Sequence, residues 1–240
     1  MNDELDPELA ALLGKHGVTK AAEVKPGETA EAGKAPVWPI PENRFARIQR
    51  QRQGAAERHA RSAGRRQFIK PENALTVVRR LPGPGETTHC ILRGDFVLAD
   101  LLPYLLDGYV CDHLRIATLT MSVENAKLLR KLRDTGRAGR LTMVISHYFQ
   151  QVNKSTIYHD IRGVLDEVAT FTVMRSHAKV ICIARRRPDE ATACDWLTIE
   201  GSANLRSSDN LEQMTIFNDE EVHAHHAEWI DYVRDNPPET

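Results

Sequence analysis

Short apolar runs alternate along this chain with segments of helical periodicity, from about residue 73 to the C-terminus. Runs with the length and composition of strands cover residues 88–92, 114–121, 141–146, 171–174, 180–183, 196–199 and 210–217. Apolar residues at i, i+3 and i+4 spacing predict helices over 96–106, 123–135, 153–169 and 219–234, with Asp95 and Ser122 as caps of the first two. Because strands alternate with helices, the pattern predicts a layered α/β domain with a mixed sheet.

The segment before this domain, residues 1–72, is predicted to be a tail. Pro and Gly punctuate residues 24–41, which indicates a flexible linker. Residues 44–70 contain nine Lys or Arg residues and one acid, Glu57, with a spacing compatible with a basic helix or arm. Residues 74–81 are predicted as a strand or an extended lead-in, so the folded domain is assigned to residues 73–240.

The composition, with 41% hydrophobic and 27% charged residues, is ordinary for a globular protein. No apolar run approaches the ~20 residues of a membrane span, and the N-terminus lacks a signal-peptide core. A cytoplasmic location without membrane binding is therefore expected. The cysteines are scattered without Cys-x-x-Cys spacing, which favours reduced thiols over a zinc site. We expect neither a metal nor a cofactor.

Candidate chemistry lies in two short segments that begin 24 positions apart, His177-Ala-Lys179 and Gly201-Ser202-Ala-Asn204. Each adjoins a predicted strand, and alternate residues of a strand point to one face, so His177 and Lys179 are expected to project together. Two antiparallel strands would bring the Gly201 turn level with that pair. An imidazole, an ammonium, a hydroxyl and a carboxamide suit a phosphodiester, because they supply a nucleophile for phosphorus and donors for its oxygens.

At these residues the chain resembles the phospholipase D-like superfamily. That signature is His-x-Lys, four residues, Asp, then a Gly-Ser-x-Asn turn, often followed by Asn-x-Glu, which Asn210-Leu-Glu212 matches. The chain carries one copy of the motif. It departs from the family at Ala184, where the signature has Asp, and the sequence leaves open whether Asp189 or Asp195 substitutes for it.

The resemblance implies a phospholipase D-like layered α/β/α fold and a metal-independent phosphodiesterase. His177 would be the nucleophile or the general acid of a phosphohistidine mechanism. Lys179 and Asn204 would hold the phosphate, Ser202 would add a hydrogen bond, and Glu212 would orient an imidazole. A single motif supplies one histidine, so the resemblance also implies a C2 homodimer with a composite site.

Further substrate contacts are predicted for Gly201, Arg175 and His147. A non-specific nucleic-acid partner is expected, because basic side chains in the tail can neutralise phosphates. These are Arg47, Arg50, Arg52, Arg58, Arg61, Arg65 and Arg66. The combination favours a nuclease, and the general character of the chain suggests a phage or mobile-element protein.

Two other functions compete with these assignments. The chain could be a non-catalytic nucleic-acid-binding or assembly protein on a degenerate fold, or a phosphatidyl- or other phosphoryl-transferring enzyme.

The cluster His223, His225 and His226 is interpreted as a helix face rather than a metal site. Residues 147–149 could line a substrate groove or form a packed aromatic corner, and residues 185–187 could contact a polyanion or be solvated.

Overall fold

One mixed sheet of eight strands organises the described part of the computed structural model, residues 65–93, 98–152, 156–205 and 210–238. The strands are β1 (Arg66–Ile69), β2 (Thr87–Arg93), β3 (Val110–Thr118), β4 (Ala138–Ser146), β5 (Ala169–Met174), β6 (Val180–Arg186), β7 (Asp195–Gly201) and β8 (Leu211–Asn218). Their order across the sheet is β1-β2-β8-β7-β6-β3-β4-β5.

Strand directions bring several chain segments to one edge of the sheet. β3, β4 and β5 are parallel to one another, and β6 is antiparallel to β3. β7 is antiparallel to both β6 and β8. The carboxyl ends of β3, β4, β5 and β7 therefore meet the amino ends of β6 and β8 at one edge, where ligand-facing loops of α/β proteins are commonly found.

Helices cover both faces of the sheet. They are α1 (Ala74–Val78), α2 (Leu101–Leu105), α3 (Val123–Asp134), α4 (His147–Val152), α5 (Ile157–Leu165) and α6 (Glu220–Asp235), with a 3₁₀ turn at Leu98–Asp100 before α2. On β6, Ile181 and Ile183 enter the larger core with α1, α2, α3 and α5, whereas Val180 and Cys182 pack against Ile230 of α6. This alternation follows from the two-residue repeat of a strand.

Side chains cap the two long helices α3 and α6, and Ser122 is the cap that the sequence predicts for α3. The hydroxyl of Ser122 accepts a hydrogen bond from the backbone N–H of Asn125 (3.2 Å), and the Asp219 carboxylate accepts one from Val222 (3.0 Å). Gly136 follows α3 with a φ of 71°, which suits glycine at a helix end. The predictions of helices over 123–135 and 219–234 are confirmed.

Several predicted elements differ from the structure. Residues 74–78 form a helix rather than a strand, because the side chain of Asn73 caps the backbone N–H of Thr76 (3.1 Å) and Val77 is fully buried. Residues 66–69 belong to the segment interpreted as a basic helix or arm, but they form a strand through parallel pairing with β2. The helix predicted over 96–106 is a 3₁₀ turn followed by α2, and Asp95 lies outside the described residues.

A polar network lies between the sheet and α6. Arg115 of β3 forms an ion pair with Asp231 of α6 (2.7 Å), which also pairs with Arg234 (2.8 Å). Burial opposes ionisation, but the hydrogen bonds from Arg115 hold the pKa of Asp231 below its ordinary value. Two buried histidines, His113 and His223, adjoin this network, and burial lowers the pKa of each to about 4.

Candidate active site

The loop between β5 and β6, residues 175–179, carries the first half of the motif. His177 and Lys179 lie in this loop rather than in a strand, contrary to expectation, and the hydroxyl of Ser176 accepts a hydrogen bond from the N–H of Ala178 (3.2 Å). The two motif side chains nevertheless meet. The ammonium Nζ of Lys179 lies 3.1 Å from Nδ1 of His177 and donates to the His177 carbonyl (3.0 Å).

The two side chains differ in exposure. His177 is exposed, whereas Lys179 is only 7% exposed. Burial lowers the pKa of the Lys179 ammonium, although attraction to Glu212 opposes this shift. A poorly solvated ammonium beside an accessible imidazole is the combination that a phosphate anion would stabilise.

The second half of the motif lies beside the first and is hydrogen-bonded to it. The N–H of Gly201, at the end of β7, donates to the carbonyl of Lys179 (3.3 Å). A Cβ at position 201 would lie 2.5 Å from the carbonyl oxygen of Gln213 in β8, so the close approach of the two strands requires glycine. The sequence led us to expect that two antiparallel strands bring the turn beside Lys179. The antiparallel pairing of β6 and β7, with Val180 opposite Glu200, agrees with this expectation.

Ser202 joins the turn to β8. Its N–H donates to the carbonyl of Gln213 (3.0 Å), and its hydroxyl accepts from the N–H of Gln213 (3.0 Å). The same hydroxyl donates to the carboxylate of Glu212. Among the described residues, the predicted hydrogen bond between Glu212 and an imidazole is not formed within the single chain. The Glu212 carboxylate instead accepts from Ser202 and attracts the Lys179 ammonium.

Asn204 lies next to a buried anchor. Leu205, 1% exposed, has a carbonyl that accepts from the N–H of Ser122 (3.0 Å) and from the side-chain amide of Asn125 (2.6 Å). Oδ1 of Asn204 is buried and has no hydrogen-bond partner among the described residues. An unpaired buried polar atom costs roughly 1–3 kcal/mol, and this acceptor needs a hydrogen-bond donor to complete its bonding.

Neither carboxylate considered as a substitute for the missing Asp reaches this site. Asp195 pairs with Arg185 (2.6 Å) and accepts from Asn218 (2.7 Å), at the far end of the β6–β7 hairpin. The register pairs Val180 with Glu200 and Arg185 with Asp195, which separates Asp195 from the site by on the order of 16 Å at about 3.3 Å per residue. Asp189 lies exposed in the turn of the same hairpin.

A groove of about 820 Å³ lies beside His177. Its lining comes from the ends of β3, β4 and β5, from the start of α4 and from the loop that carries His177. The lining residues are Leu119, Ser146, His147, Tyr148, Gln151, Arg175, Ser176 and His177. The predicted substrate contacts His147 and Arg175 therefore share one groove with His177, whereas Gly201 acts as a backbone spacer.

The segment 147–149 combines both interpretations offered from the sequence. Phe149 is 1% exposed and packs edge-on against Tyr158 at 6.0 Å between ring centroids. Tyr148 is 58% exposed and lines the groove. The sequence did not indicate roles for Asn125, which anchors the motif turn, or for Gln151 and Leu119, which line the groove.

The histidines of α6 have protein partners. His223 packs against Trp196 with ring centroids 5.1 Å apart, and Nε2 of His226 lies 2.5 Å from the carboxylate of Glu200. The hydrogen bond with His226 lowers the pKa of Glu200. Within the described ranges, no group of three or more His, Cys, Asp or Glu side chains could hold a metal ion.

The remaining predicted residues divide into three groups. Arg65 and Arg66 are exposed at the start of the described chain. The predicted nucleic-acid contacts Arg47, Arg50, Arg52, Arg58 and Arg61 lie outside the described residues. In the β6–β7 hairpin, Arg185 is buried, forms an ion pair with Asp195 and lies 4.3 Å from the ring centroid of Tyr109. Its side chain is therefore not solvated.

The cysteines and helices add two further facts. All four cysteines are free, and burial raises the pKa of Cys90, Cys111 and Cys182 to about 12. Such thiols remain protonated at neutral pH.

In the part of the chain that the structure describes, no helix has the length and apolar character needed to cross a membrane.

Comparisons with protein-family models and with curated protein sequences gave no match. Among solved structures, the chain is similar to TrmBL2, an archaeal chromatin protein described with a novel mode of DNA binding, with 12% identity and a TM-score of 0.40 over 63% of this chain and 54% of that chain. It is similar to polyphosphate kinase from Porphyromonas gingivalis, with 10% identity and a TM-score of 0.40 over 59% and 24% of the two chains. It is also similar to NucT from Helicobacter pylori, with 17% identity and a TM-score of 0.38 over 61% and 95%.

The matched region thus spans about half of the chromatin protein and a quarter of the kinase. At these identities and TM-scores the similarities do not assign a function.

Proposed function

We propose that this protein is a metal-independent phosphodiesterase of the phospholipase D-like class that acts on nucleic acid. The observation that carries the proposal is the position of Lys179, a residue only 7% exposed whose ammonium lies 3.1 Å from Nδ1 of His177. The turn that begins at Gly201 is hydrogen-bonded to the backbone of Lys179, so the fold holds the donors of the turn next to the loop that carries the nucleophile. Such preorganised donors are the principal means of stabilising charge in phosphoryl transfer.

The reaction would proceed in two displacements. An unprotonated imidazole nitrogen of His177 attacks phosphorus, an N–P bond forms, and the P–O bond to the leaving group breaks. A second histidine donates its proton to the leaving oxygen. Water then attacks the phosphohistidine and gives a proton to that second histidine, the new P–O bond forms, and the N–P bond breaks. Each protonation change in the first displacement is reversed in the second.

The other motif residues would act on the phosphate oxygens. Lys179 supplies a charged donor, and the carboxamide of Asn204 supplies a neutral one. Ser202 and Glu212 hold the turn against β8 through their mutual hydrogen bond, and in the proposal Glu212 also orients an imidazole. Arg175 and His147, which line the groove, would bind the substrate.

The second histidine would come from a second copy of the chain. One motif provides one His177, and a twofold axis beside the site would place His177 of each subunit on opposite sides of the phosphorus. The two displacements require one of these imidazoles to be protonated when the other is not. Arg65 and Arg66, with the basic residues before them, would add salt-dependent contacts to the nucleic-acid backbone.

The test is cleavage by the purified full chain in the presence of EDTA. Single-stranded DNA, double-stranded DNA and a chromogenic phosphodiester serve as substrates for the unmodified protein, His177→Ala and the control His159→Ala. His159 is an exposed histidine of α5 outside the groove. Turnover that is lost in His177→Ala and retained in His159→Ala supports the proposal. Turnover retained in His177→Ala, with circular dichroism showing both variants folded, contradicts it.

A second candidate function is non-catalytic nucleic-acid binding on the same fold. Ala184 favours it, because the motif position of the signature's Asp carries a methyl group and neither Asp189 nor Asp195 lies at the site. Strong, salt-sensitive DNA binding without any product would support this alternative.

A further inference from the structure

The groove beside His177 has a composition that a phosphate site alone does not require. Its volume of about 820 Å³ lies within the ~300–1,000 Å³ that holds a ligand of nucleotide size. One wall is the loop with Arg175, Ser176 and His177, and another includes Tyr148 and Gln151 of α4. Among its described lining residues there is no carboxylate, so the groove is electrostatically compatible with an anionic polymer.

Tyr148 is held as an exposed aromatic surface in this groove. Its neighbour Phe149 anchors α4 in the core against Tyr158, and the N–H of Tyr148 donates to the hydroxyl of Ser146 (3.3 Å). The tyrosine side chain remains 58% exposed while the backbone on both sides is fixed. An exposed ring on a fixed backbone, in a groove that Leu119 also lines, is suited to stacking against a flat ligand.

Polar groups around Tyr148 match the other parts of a nucleotide. Nε2 of His147 lies 3.3 Å from the amide Nε2 of Gln151, so an imidazole and a carboxamide stand together where a base edge could be hydrogen-bonded. The exposed guanidinium of Arg175 is on the side of His177 and can contact a neighbouring phosphate.

We infer that this groove is a subsite for one unpaired nucleobase, stacked on Tyr148 next to the phosphodiester held at His177 and Lys179. The inference rests on the proposed function and narrows its substrate class to single-stranded or locally opened nucleic acid. Within a duplex both faces of a base are covered by neighbouring bases, so a base reaches Tyr148 only when it is unstacked.

The test measures binding and cleavage separately. Binding of a fluorescent single-stranded oligonucleotide, and of its duplex, is followed by anisotropy at fixed salt for the unmodified protein, Tyr148→Ala, Tyr148→Phe and Tyr104→Ala. Tyr104 is a matched control, because it is 43% exposed on α2 and outside the groove. Since stacking on an aromatic residue strengthens binding of a base, Tyr148→Ala is expected to weaken single-strand binding by roughly 5- to 150-fold.

Tyr148→Phe and Tyr104→Ala should retain single-strand affinity, and duplex binding should not depend on Tyr148. The same single strand with one abasic position opposite the groove gives the decisive comparison, because it keeps the phosphodiester and lacks the base. The abasic site is moved along the strand one position at a time. At one of these positions, Tyr148→Ala should no longer change the affinity or, if the protein cleaves, kcat/KM.

The outcomes separate this inference from the proposed function. Single-strand binding that depends on Tyr148 supports the subsite even when no cleavage occurs, which would contradict only the proposed catalysis. Cleavage at His177 with single-strand affinity unchanged in Tyr148→Ala overturns the subsite and leaves the catalytic proposal intact. Equal affinity for single strand and duplex in every variant, or hydrolysis confined to phospholipid vesicles, also overturns it.

Discussion

The backbone N–H of Gly201 donates a hydrogen bond to the carbonyl of Lys179 across 3.3 Å, and this contact joins the two halves of the motif. On the other side, the carbonyl of Gln213 occupies the space that a Cβ at position 201 would need. The turn is therefore held between two strands, and its position relative to Lys179 depends on the absence of a side chain at one residue.

Gly201→Ala is expected to displace this turn. A Cβ would lie 2.5 Å from a backbone oxygen that belongs to a paired strand and cannot move aside easily. Overpacking of this kind costs about 1–3 kcal/mol, measurable as a lower urea midpoint, and activity should fall with it. Gly163→Ala is the control, because a Cβ on this α5 glycine meets nothing within 4 Å and should raise stability by up to ~1 kcal/mol. Equal effects of the two substitutions would contradict the argument.

Lys179→Met and Lys179→Arg are both expected to reduce activity. Methionine removes the charged donor, and a loss of about 10²–10³-fold in kcat is typical when one preorganised donor is removed. Arginine keeps the charge, but its planar fork cannot occupy a position fitted to an ammonium beside the His177 carbonyl. Steady-state kinetics with Lys127→Met, an exposed lysine on α3, provides the reference. Full activity in Lys179→Met would show that this ammonium does not act on the substrate.

Much of this architecture could be predicted from local signals. Ser122 marked the start of α3, because a capping side chain precedes a periodic apolar pattern there, and a similar pattern predicted α6 within residues 219–234. The relation between Lys179 and Gly201 also followed from two flanking apolar runs that suit an antiparallel pair.

The elements that sequence did not predict depend on distant partners. β1 is a strand because it pairs with β2 as a parallel neighbour, and a segment of only four residues, Arg66–Ile69, is too short to show a strand period. Asn125 has a buried amide only because Leu205, 80 positions away, presents a carbonyl to it. Such contacts are properties of the assembled fold, and a single sequence contains no local trace of them.

Asp195→Asn is expected to affect stability rather than catalysis. Its carboxylate pairs with the buried Arg185, which also donates to the carbonyl of Leu105 (2.9 Å). Removing one partner of a buried pair costs about 3–5 kcal/mol, and partial exposure of Asp195 should reduce this to roughly 2–4 kcal/mol. A urea unfolding curve should show the loss, while kcat of the folded variant stays unchanged. A large fall in kcat without destabilisation would instead indicate that Asp195 takes part in catalysis.

Stability is expected to decrease as the pH falls from about 7 to 5. His113 and His223 have folded pKa values of about 4 against an ordinary value of 6.5, so the unfolded chain binds protons in this window and the folded chain does not. Each histidine then removes about 2 kcal/mol from the free energy of unfolding. The lowered pKa values of Glu200 and Asp231 act in the same direction but below this window.

The variant His223→Phe isolates one of these two contributions. Phenylalanine retains a ring against Trp196 and cannot bind a proton, so roughly half of the pH dependence should disappear even if overall stability changes. Unfolding curves recorded at several pH values would give the slope. An unchanged slope would mean that His223 is not the buried neutral group that titrates.

A catalytic site shared between two subunits should lose activity in mixed dimers of active and inactive chains. If His177 of both subunits is needed, a subunit paired with His177→Ala has only one imidazole and cannot complete the reaction. Co-refolding the unmodified chain with a ninefold excess of His177→Ala should lower its activity about tenfold per unmodified chain, because about nine tenths of its partners are then inactive. Excess His159→Ala should cause no loss, since that variant contributes its own His177. Undiminished activity in the presence of the inactive chain would show that each subunit acts alone. The second proton donor would then have to be sought within the same chain, beginning with His147, which lines the same groove.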